Sequence, residues 1–339
     1  MLFHTSLDNP LSRRRRHTLV ARLHFVAVAL ATLLAGTTNA DAKAYKGAEV
    51  YSSSTVLHGR IEIRMRMIRG SGLVSTFFTY KNGSELSGAL WEELDIEAMG
   101  KSDAKSWQSN LITGNPRVTS EQLYTLASSL ADDYHTYRID WTPDYVSWSL
   151  DGTEVRRTQG GQASQVTNAH SLRFNAWSSE STGWAGDLDE SALPAYQFVN
   201  WIRYYHYEID QFVLDWTDDF DTFDTSRWSK GNWTFTGNRV DFDPTNAVVQ
   251  DGTLILAITK EGATGFAGTV PVDPQGNATN VPVTPSPPST PSTPSTPATS
   301  AAGGGCTLMP STLPRRNAAW LMGLFLLGLA GPLLARRGS

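Results

Sequence analysis

HGRIEIRMRMIR, residues 58 to 69, alternates apolar and charged side chains: Ile61, Ile63, Met65 and Met67 share one face, and Glu62, Arg64 and Arg66 the other. A period of two places successive side chains on opposite faces of an extended chain, so the segment reads as a β-strand with one buried face. YVSWSLDGTEVRR, residues 145 to 157, repeats the pattern, with Val146, Trp148 and Leu150 on the apolar face and Asp151-Gly152 as a two-residue hairpin turn. The same reading predicts strands over residues 73–80, 135–141, 172–177, 201–208 and 254–259, while helical periodicity is almost absent between residues 41 and 271. Many strands punctuated by Gly, Asn and Asp imply an all-β domain, a β-sandwich of two packed antiparallel sheets. Curved sheets would leave one concave face open to a polymer.

The segments outside 41–271 read as addresses and spacers. Arg13 to Arg16 with Arg22, an apolar stretch over 23–34, and Thr38-Asn39-Ala40 have the three-part form of a signal peptide over residues 1–40. The apolar stretch is short for a bilayer span, which disfavours a membrane anchor there. Residues 272–302, including PSTPSTPSTP, form a Pro/Ser/Thr-rich linker whose composition cannot build a core. Residues 303–339 join Gly303-Gly304-Gly305-Cys306, an apolar segment over 318–335 and Arg336-Arg337. That tail resembles bacterial C-terminal sorting signals, which implies membrane retention, then cleavage by a sorting protease and surface attachment. A permanent anchor is the plainer alternative. Either way the chain is expected to be exported, as a secreted or cell-surface protein.

Composition narrows the chemistry. A net charge of −5 speaks against nucleic acid as a partner. The single cysteine, Cys306, rules out an intramolecular disulfide, no His/Cys cluster has zinc spacing, and no Gly-rich phosphate loop follows a strand. The 11 Trp, 11 Tyr and 13 Phe suit a β core and also a sugar-binding cleft, where flat apolar sugar faces stack on rings.

The chemistry concentrates in LWEELDIEAMG, residues 90 to 100. In a strand Glu93, Asp95 and Glu97 project from one face while Leu94, Ile96 and Ala98 point to the core. Three acids side by side repel one another, a costly arrangement without a function, although a solvated edge strand tolerates it. Four strand residues separate the Cα atoms of Glu93 and Glu97 by roughly 13 Å. With each side chain leaning inward, the carboxyl groups end about 5 Å apart, the spacing of a retaining glycosidase. Such crowding splits proton affinities, leaving one group ionised and its neighbour protonated near neutral pH.

WEELDIE resembles the signature of glycoside hydrolase family 16, in the unbulged Glu-x-Asp-x-Glu form of its lichenases. SGLVSTFFTYKNGSE, QSNLITG, HTYRIDWTPDYVSWSLDG and LRFNAWSSES extend the resemblance. DWTDDFDTFDTSRWSKGNWTFTGNRVDF, residues 215 to 242, is similar to the opening of an ordinary lichenase yet follows the acidic strand here. The resemblance therefore implies a jelly-roll β-sandwich that is circularly permuted, a rearrangement tolerated where the original termini lie close together.

The resemblance implies roles residue by residue. Glu93 is the nucleophile, Glu97 the general acid/base and Asp95 the assisting carboxylate. Substrate contacts fall to Phe78, Tyr80, Asn82, Trp91, Gln108, Asn110, Arg173, Asn175, Trp177, Trp184 and Trp233. Arg173, Asn175 and Trp177 also alternate, so strand geometry alone puts them on one face. No cofactor is needed for catalysis, and a structural calcium is implied at Asn200, Asp219 and the backbone of Gly252. Glu92 departs from the family, where an apolar residue points inward, and is expected to escape to solvent at the strand's start. The function implied is endo-hydrolysis of β-1,4 bonds next to β-1,3 bonds in mixed-linkage β-glucan by a monomer. A laminarinase or transglycosylase on another β-glucan, and a non-catalytic sugar-binding sandwich, remain as alternatives.

Overall fold

A computed structural model describes residues 42–275. These lie in the first of two units, Met1–Pro288, and the second, Ser289–Ser339, falls outside the described residues. The signal peptide, almost all of the linker and the sorting tail fall outside them too.

Sixteen strands carry the fold. The first half comprises β1 (Tyr45–Ser52), β2 (Gly59–Arg66), β3 (Leu73–Tyr80), β4 (Trp91–Met99), β5 (Ser106–Gly114), β6 (Val118–Thr125), β7 (His135–Trp141) and β8 (Tyr145–Leu150). The second half comprises β9 (Thr153–Gln159), β10 (Ser171–Ser178), β11 (Ala195–Glu208), β12 (Gln211–Asp218), β13 (Trp228–Lys230), β14 (Val240–Phe242), β15 (Ala247–Gln250) and β16 (Thr253–Lys260). The α-helices among the described residues are single turns, at Lys101–Ala104 and Thr182–Ala185. The predicted strands at 73–80 and 135–141 match β3 and β7, and the Asp151-Gly152 turn has positive φ at both positions, as a tight hairpin requires.

Hydrogen bonding runs without interruption in the order β6-β5-β4-β3-β10-β1-β16-β11-β2-β7-β8-β9, so the two layers are one curled sheet folded over at β1. The first half of β1 pairs with β16 and its second half with β10, which lets one strand serve both layers. Pairing is antiparallel except between β1 and β14. Gly47 lies between β10 and β14, where a Cβ would come within 2.5 Å of the Ala176 carbonyl oxygen of β10 and 2.6 Å of the Val240 side chain of β14. The core fills the space between the layers: Leu94, Ile96 and Ala98 of β4 and Ile61, Ile63 and Met65 of β2 are all fully buried. Close packing of alternate side chains from both layers is what holds a sandwich together.

Two residues depart from the alternating pattern. Arg64 points away from the apolar face yet is buried, because Asp273 reaches it with a two-pronged ion pair at 2.8 Å on each side. The folded domain therefore extends past residue 271 to include Asp273. Glu92 does not escape to solvent: it is 1% exposed and points into the core behind the cleft. Its carboxylate accepts hydrogen bonds from the Thr167 and Asn168 backbone N–H groups at 2.9 and 3.0 Å and from the Asn168 side-chain amide. These donors, with His170 nearby, hold its pKa below the ordinary value despite burial. A buried charge is tolerated when hydrogen bonds replace its hydration, and this one has them.

Candidate active site

Strand register assembles the site. Across β3, β4 and β5, Tyr80 pairs with Glu93, which pairs with Ile112; Phe78 pairs with Asp95, and Asp95 with Asn110; Thr76 pairs with Glu97, and Glu97 with Gln108. The rows continue through β10 and β1, where Phe78 meets Arg173 and Arg173 meets Tyr51, while Thr76 meets Asn175 and Asn175 meets Glu49. Residues paired in register point to the same face, so these side chains line the outer face of this layer, opposite the core.

Each outer carboxylate has its own donor. The Trp91 indole Nε1 donates to Glu93 Oε2 at 2.6 Å, and Gln108 Nε2 donates to Glu97 Oε2 at 2.7 Å. Trp184 Nε1 donates to Gln108 Oε1 at 3.0 Å, which orients that amide with its nitrogen toward Glu97. From the other layer, Trp148 Nε1 crosses the core to the Asp95 carbonyl oxygen at 3.0 Å and braces the middle of β4 from behind.

Burial raises the pKa of all three acids. Glu97 is pushed up to about 7, by burial first and by the charge of Glu93, with the Gln108 hydrogen bond opposing. Asp95 rises well above the usual carboxylate range, because it is buried between two other acids. Glu93 is raised by burial as well, with Trp91, Asp95, Arg117 and Arg173 opposing and favouring its anion. Asp95 therefore carries a proton beside Glu93, and Glu97 holds its own proton close to neutrality.

The other expected contacts surround these groups. Tyr80 OH donates to Glu85 at 2.6 Å, and its ring edge meets Trp91 at 5.6 Å between centroids. Asn82 Oδ1 accepts from Arg173 Nη2 and Ser171 Oγ at 2.8 and 2.9 Å. Asn110 is held through its Oδ1 by the Ser120 backbone N–H at 3.2 Å. Asn175, which pairs with Thr76 and Glu49 in register, has a buried Oδ1 with no hydrogen-bond partner. Trp177, fixed through Nε1 to Thr76 Oγ1 at 3.1 Å, packs against Trp184 at 5.7 Å and Phe235 at 5.1 Å. Trp233 lies 5.2 Å from the Tyr51 ring and remains 36% exposed.

Sequence reading missed Glu49, Tyr51, Glu85, Arg117 and Phe235. Glu49 is buried, ion-paired to Arg173 at 2.9 Å, and its pKa is raised to about 7 by burial despite that partner. A signal for it existed: in GAEVYS, Ala48 and Val50 alternate with Glu49 and Tyr51 as they would in a half-buried strand.

The calcium positions lie away from these rows. Val199 pairs with Leu254 and Ile202 with Asp218, so Asn200, Asp219 and Gly252 each lie one or two residues from these pairs, where β12 takes over from β16 along β11. Asn200 sits at a register shift in β11 and donates its side-chain amide to Asp273 at 2.7 Å. Among the described residues no group of three or more His, Cys, Asp or Glu side chains forms a metal centre.

A curled β-sandwich with paired carboxyls, each with its own hydrogen-bond donor, on one layer's outer face defines a glycosidase class of site. Comparison with known proteins specifies it further. A family model described as glycosyl hydrolases family 16 matches residues 25–203. A β-glucanase of Fibrobacter succinogenes is 50% identical over 259 residues, covering 74% of this chain and 73% of that protein. A β-glucanase of Bacillus subtilis is 33% identical over 154 residues, 45% of this chain and 60% of that protein. The solved Bacillus licheniformis β-glucanase is 30% identical, with a TM-score of 0.42, over 47% of this chain and 71% of that one. This chain belongs to glycosyl hydrolase family 16.

Proposed function

We propose that this chain is a retaining endo-β-glucanase that cleaves β-1,4 bonds adjacent to β-1,3 bonds in mixed-linkage β-glucan. The observation that carries this reading is the pair Glu93 and Glu97 on one face of β4, each with a separate donor and with Asp95 between them. Glu97, protonated near neutral pH, gives its proton to the leaving glycosidic oxygen. Glu93, kept anionic by Trp91 and Asp95, attacks the anomeric carbon and forms a covalent glycosyl-enzyme. Glu97, now the base, takes a proton from water, which attacks the same carbon and releases the sugar with retained configuration. Asn175, Arg173, Trp177 and Trp233 are assigned to sugar binding, the polar groups to hydroxyls and the rings to apolar faces.

The β-glucanase names of the relatives support the substrate class, and the unbulged acidic motif supports the mixed-linkage preference over laminarin. Reducing-sugar release and product analysis on barley glucan, laminarin and chitin test both. Cleavage of barley glucan alone is expected, and equal or better cleavage of laminarin would reassign the linkage. If Glu93→Gln and Glu97→Gln turn glucan over like an active parent, these carboxylates are not the catalytic pair, and if the parent itself binds glucan without releasing sugar, the chain is a binding module. Glu93→Ala rescued by azide, with an inverted product, identifies the nucleophile.

A circular permutation is part of this proposal. Strands β11 and β12 join through Ile209-Asp210 alone, and the family match ends at residue 203, just before that turn. The Fibrobacter relative aligns over 259 residues and the Bacillus subtilis one over 154, as expected if only the former shares this segment order. Calcium fits the donor set of Asn200, Asp219 and the Gly252 carbonyl, all hard oxygens, and would brace β11 against β12 and β16. Export and surface attachment are proposed from the residues outside the described region alone.

A further inference from the structure

At one end of the cleft the Trp91 indole is held on two sides. Its N–H donates to Glu93 at 2.6 Å, and the Arg117 guanidinium carbon lies 4.6 Å from its ring centroid. Arg117 is the last residue of the turn between β5, which ends at Gly114, and β6, which begins at Val118. It is exposed, and among the described residues its contact is with Trp91, with no carboxylate in ion-pair range. A cation over an indole face is attracted by the ring's π density and draws that density toward itself, which makes the N–H at the ring edge a stronger donor. It also covers a face that a sugar would otherwise use.

We propose that Arg117 is a positioning residue for hydrolysis: stacked on Trp91, it holds and polarises the indole N–H that orients the Glu93 carboxylate for attack. Trp91 then serves the nucleophile and not a sugar face. The inference rests on the reading of Glu93 as nucleophile. The other ionisable groups facing Glu93 are Asp95 and Glu97 on its own strand, Tyr80 on β3 with Glu85 behind it, Arg173 on β10 and Glu49 on β1. Of the two cations that act on Glu93, Arg173 is ion-paired with Glu49, so Arg117 is the one whose charge is not locally neutralised. Burial raises the pKa of Glu93, and Arg117 is among the groups that pull it back.

The test compares Arg117→Met, Arg117→Lys, Trp91→Phe and the double variant Trp91→Phe/Arg117→Met on barley mixed-linkage glucan, with pH profiles and melting temperatures. Arg117→Met is expected to lower kcat by about two- to fivefold, the range of a solvent-exposed cation–π contact. KM and melting temperature stay near the parent's, and the acid limb of the pH profile moves to higher pH. Arg117→Lys restores most of kcat. In the Trp91→Phe background, which keeps a ring but has no N–H to polarise, Arg117→Met has no further effect. An equal loss in that background, a change confined to KM, or no change at all would overturn the proposal. Glu93→Ala separates the two readings. If that variant is inactive and rescued by azide while Arg117→Met behaves as the parent, the nucleophile stands and the Arg117 role fails. If Glu93→Ala keeps its activity, both fail.

Discussion

The proton on Glu97 is held there chiefly by burial, and that has a stability consequence of definite sign. Its folded pKa of about 7 lies above the ordinary 4.5, so the native state binds this proton more tightly than the unfolded chain does. The stability it contributes is present below about 4.5 and is lost as pH rises through about 7. Glu97→Gln keeps an oxygen to accept from Gln108 and has no charge to bury. It should melt with the parent near pH 4 and about 6–12 °C higher at pH 8, because raising the pKa from 4.5 to about 7 amounts to about 3 kcal/mol in a domain of this size. Melting curves across that range check it, and a gap that closes as pH rises would contradict it. The alignment of Glu97 with Glu93 is legible from two-residue spacing, because the strand that aligns the acids is written in the same eleven residues, whereas its part as acid/base comes from the family resemblance. The role of Arg117 is legible in neither way. It sits in a turn, and only the register of β4 with β5 brings it over Trp91.

Strands differ in how plainly they announce themselves, and burial decides the difference. Strand β2 covers one face with core and alternates cleanly, whereas β6, VTSEQLYT, is an edge strand with exposed residues on both faces and no periodic signal. Strand β1 is broken in pattern by Gly47, needed for the close approach of the β10 backbone and the Val240 side chain of β14, and so escapes a hydrophobic count although it joins both layers. The same limit applies to Glu92. Strand periodicity assigns it inward, but nothing local says that the chain 75 residues later supplies the backbone N–H groups that make burial tolerable. Those donors tie the 167–168 loop to the start of β4, one residue from Glu93. Glu92→Ala leaves two amides and a side-chain amide without a partner in the interior, and should cost about 3–5 kcal/mol in denaturant unfolding, as expected for removing one side of a buried charged cluster. Because the loop and Trp91 both flank that position, kcat should fall as well. A loss below about 1 kcal/mol would mean that water reaches the loop and takes over the carboxylate's role.

At the scale of the whole molecule, chain order and architecture are separable, and the β11–β12 turn is where they can be pulled apart. Ile209 and Asp210 both have positive φ, and Ile209 is 86% exposed with a β-branched side chain that the left-handed region disfavours. The turn makes no demand on the core, so cutting it removes a strained connection and leaves the strand pairs of β11 to be kept by their own hydrogen bonds. At the other side of the domain, the Glu261 backbone N–H donates to the Ala44 carbonyl at 2.8 Å, and Asp273 is pinned to Arg64, so both ends of the folded unit are fixed to the sandwich. A chain that starts at Gln211, runs through residue 275, crosses a Gly/Ser linker to Ala42 and ends at Glu208 therefore keeps every pairing except the two-residue turn. It should fold and hydrolyse barley glucan within a few-fold of the parent, because termini at an exposed turn are the kind of change that folds tolerate. Its melting temperature should fall modestly, since β12 must now pair with β11 across the length of the chain and not across a tight turn. A rearranged chain that stays unfolded with linkers of two different lengths would show that the β11–β12 turn directs folding and is not a late join between older ends.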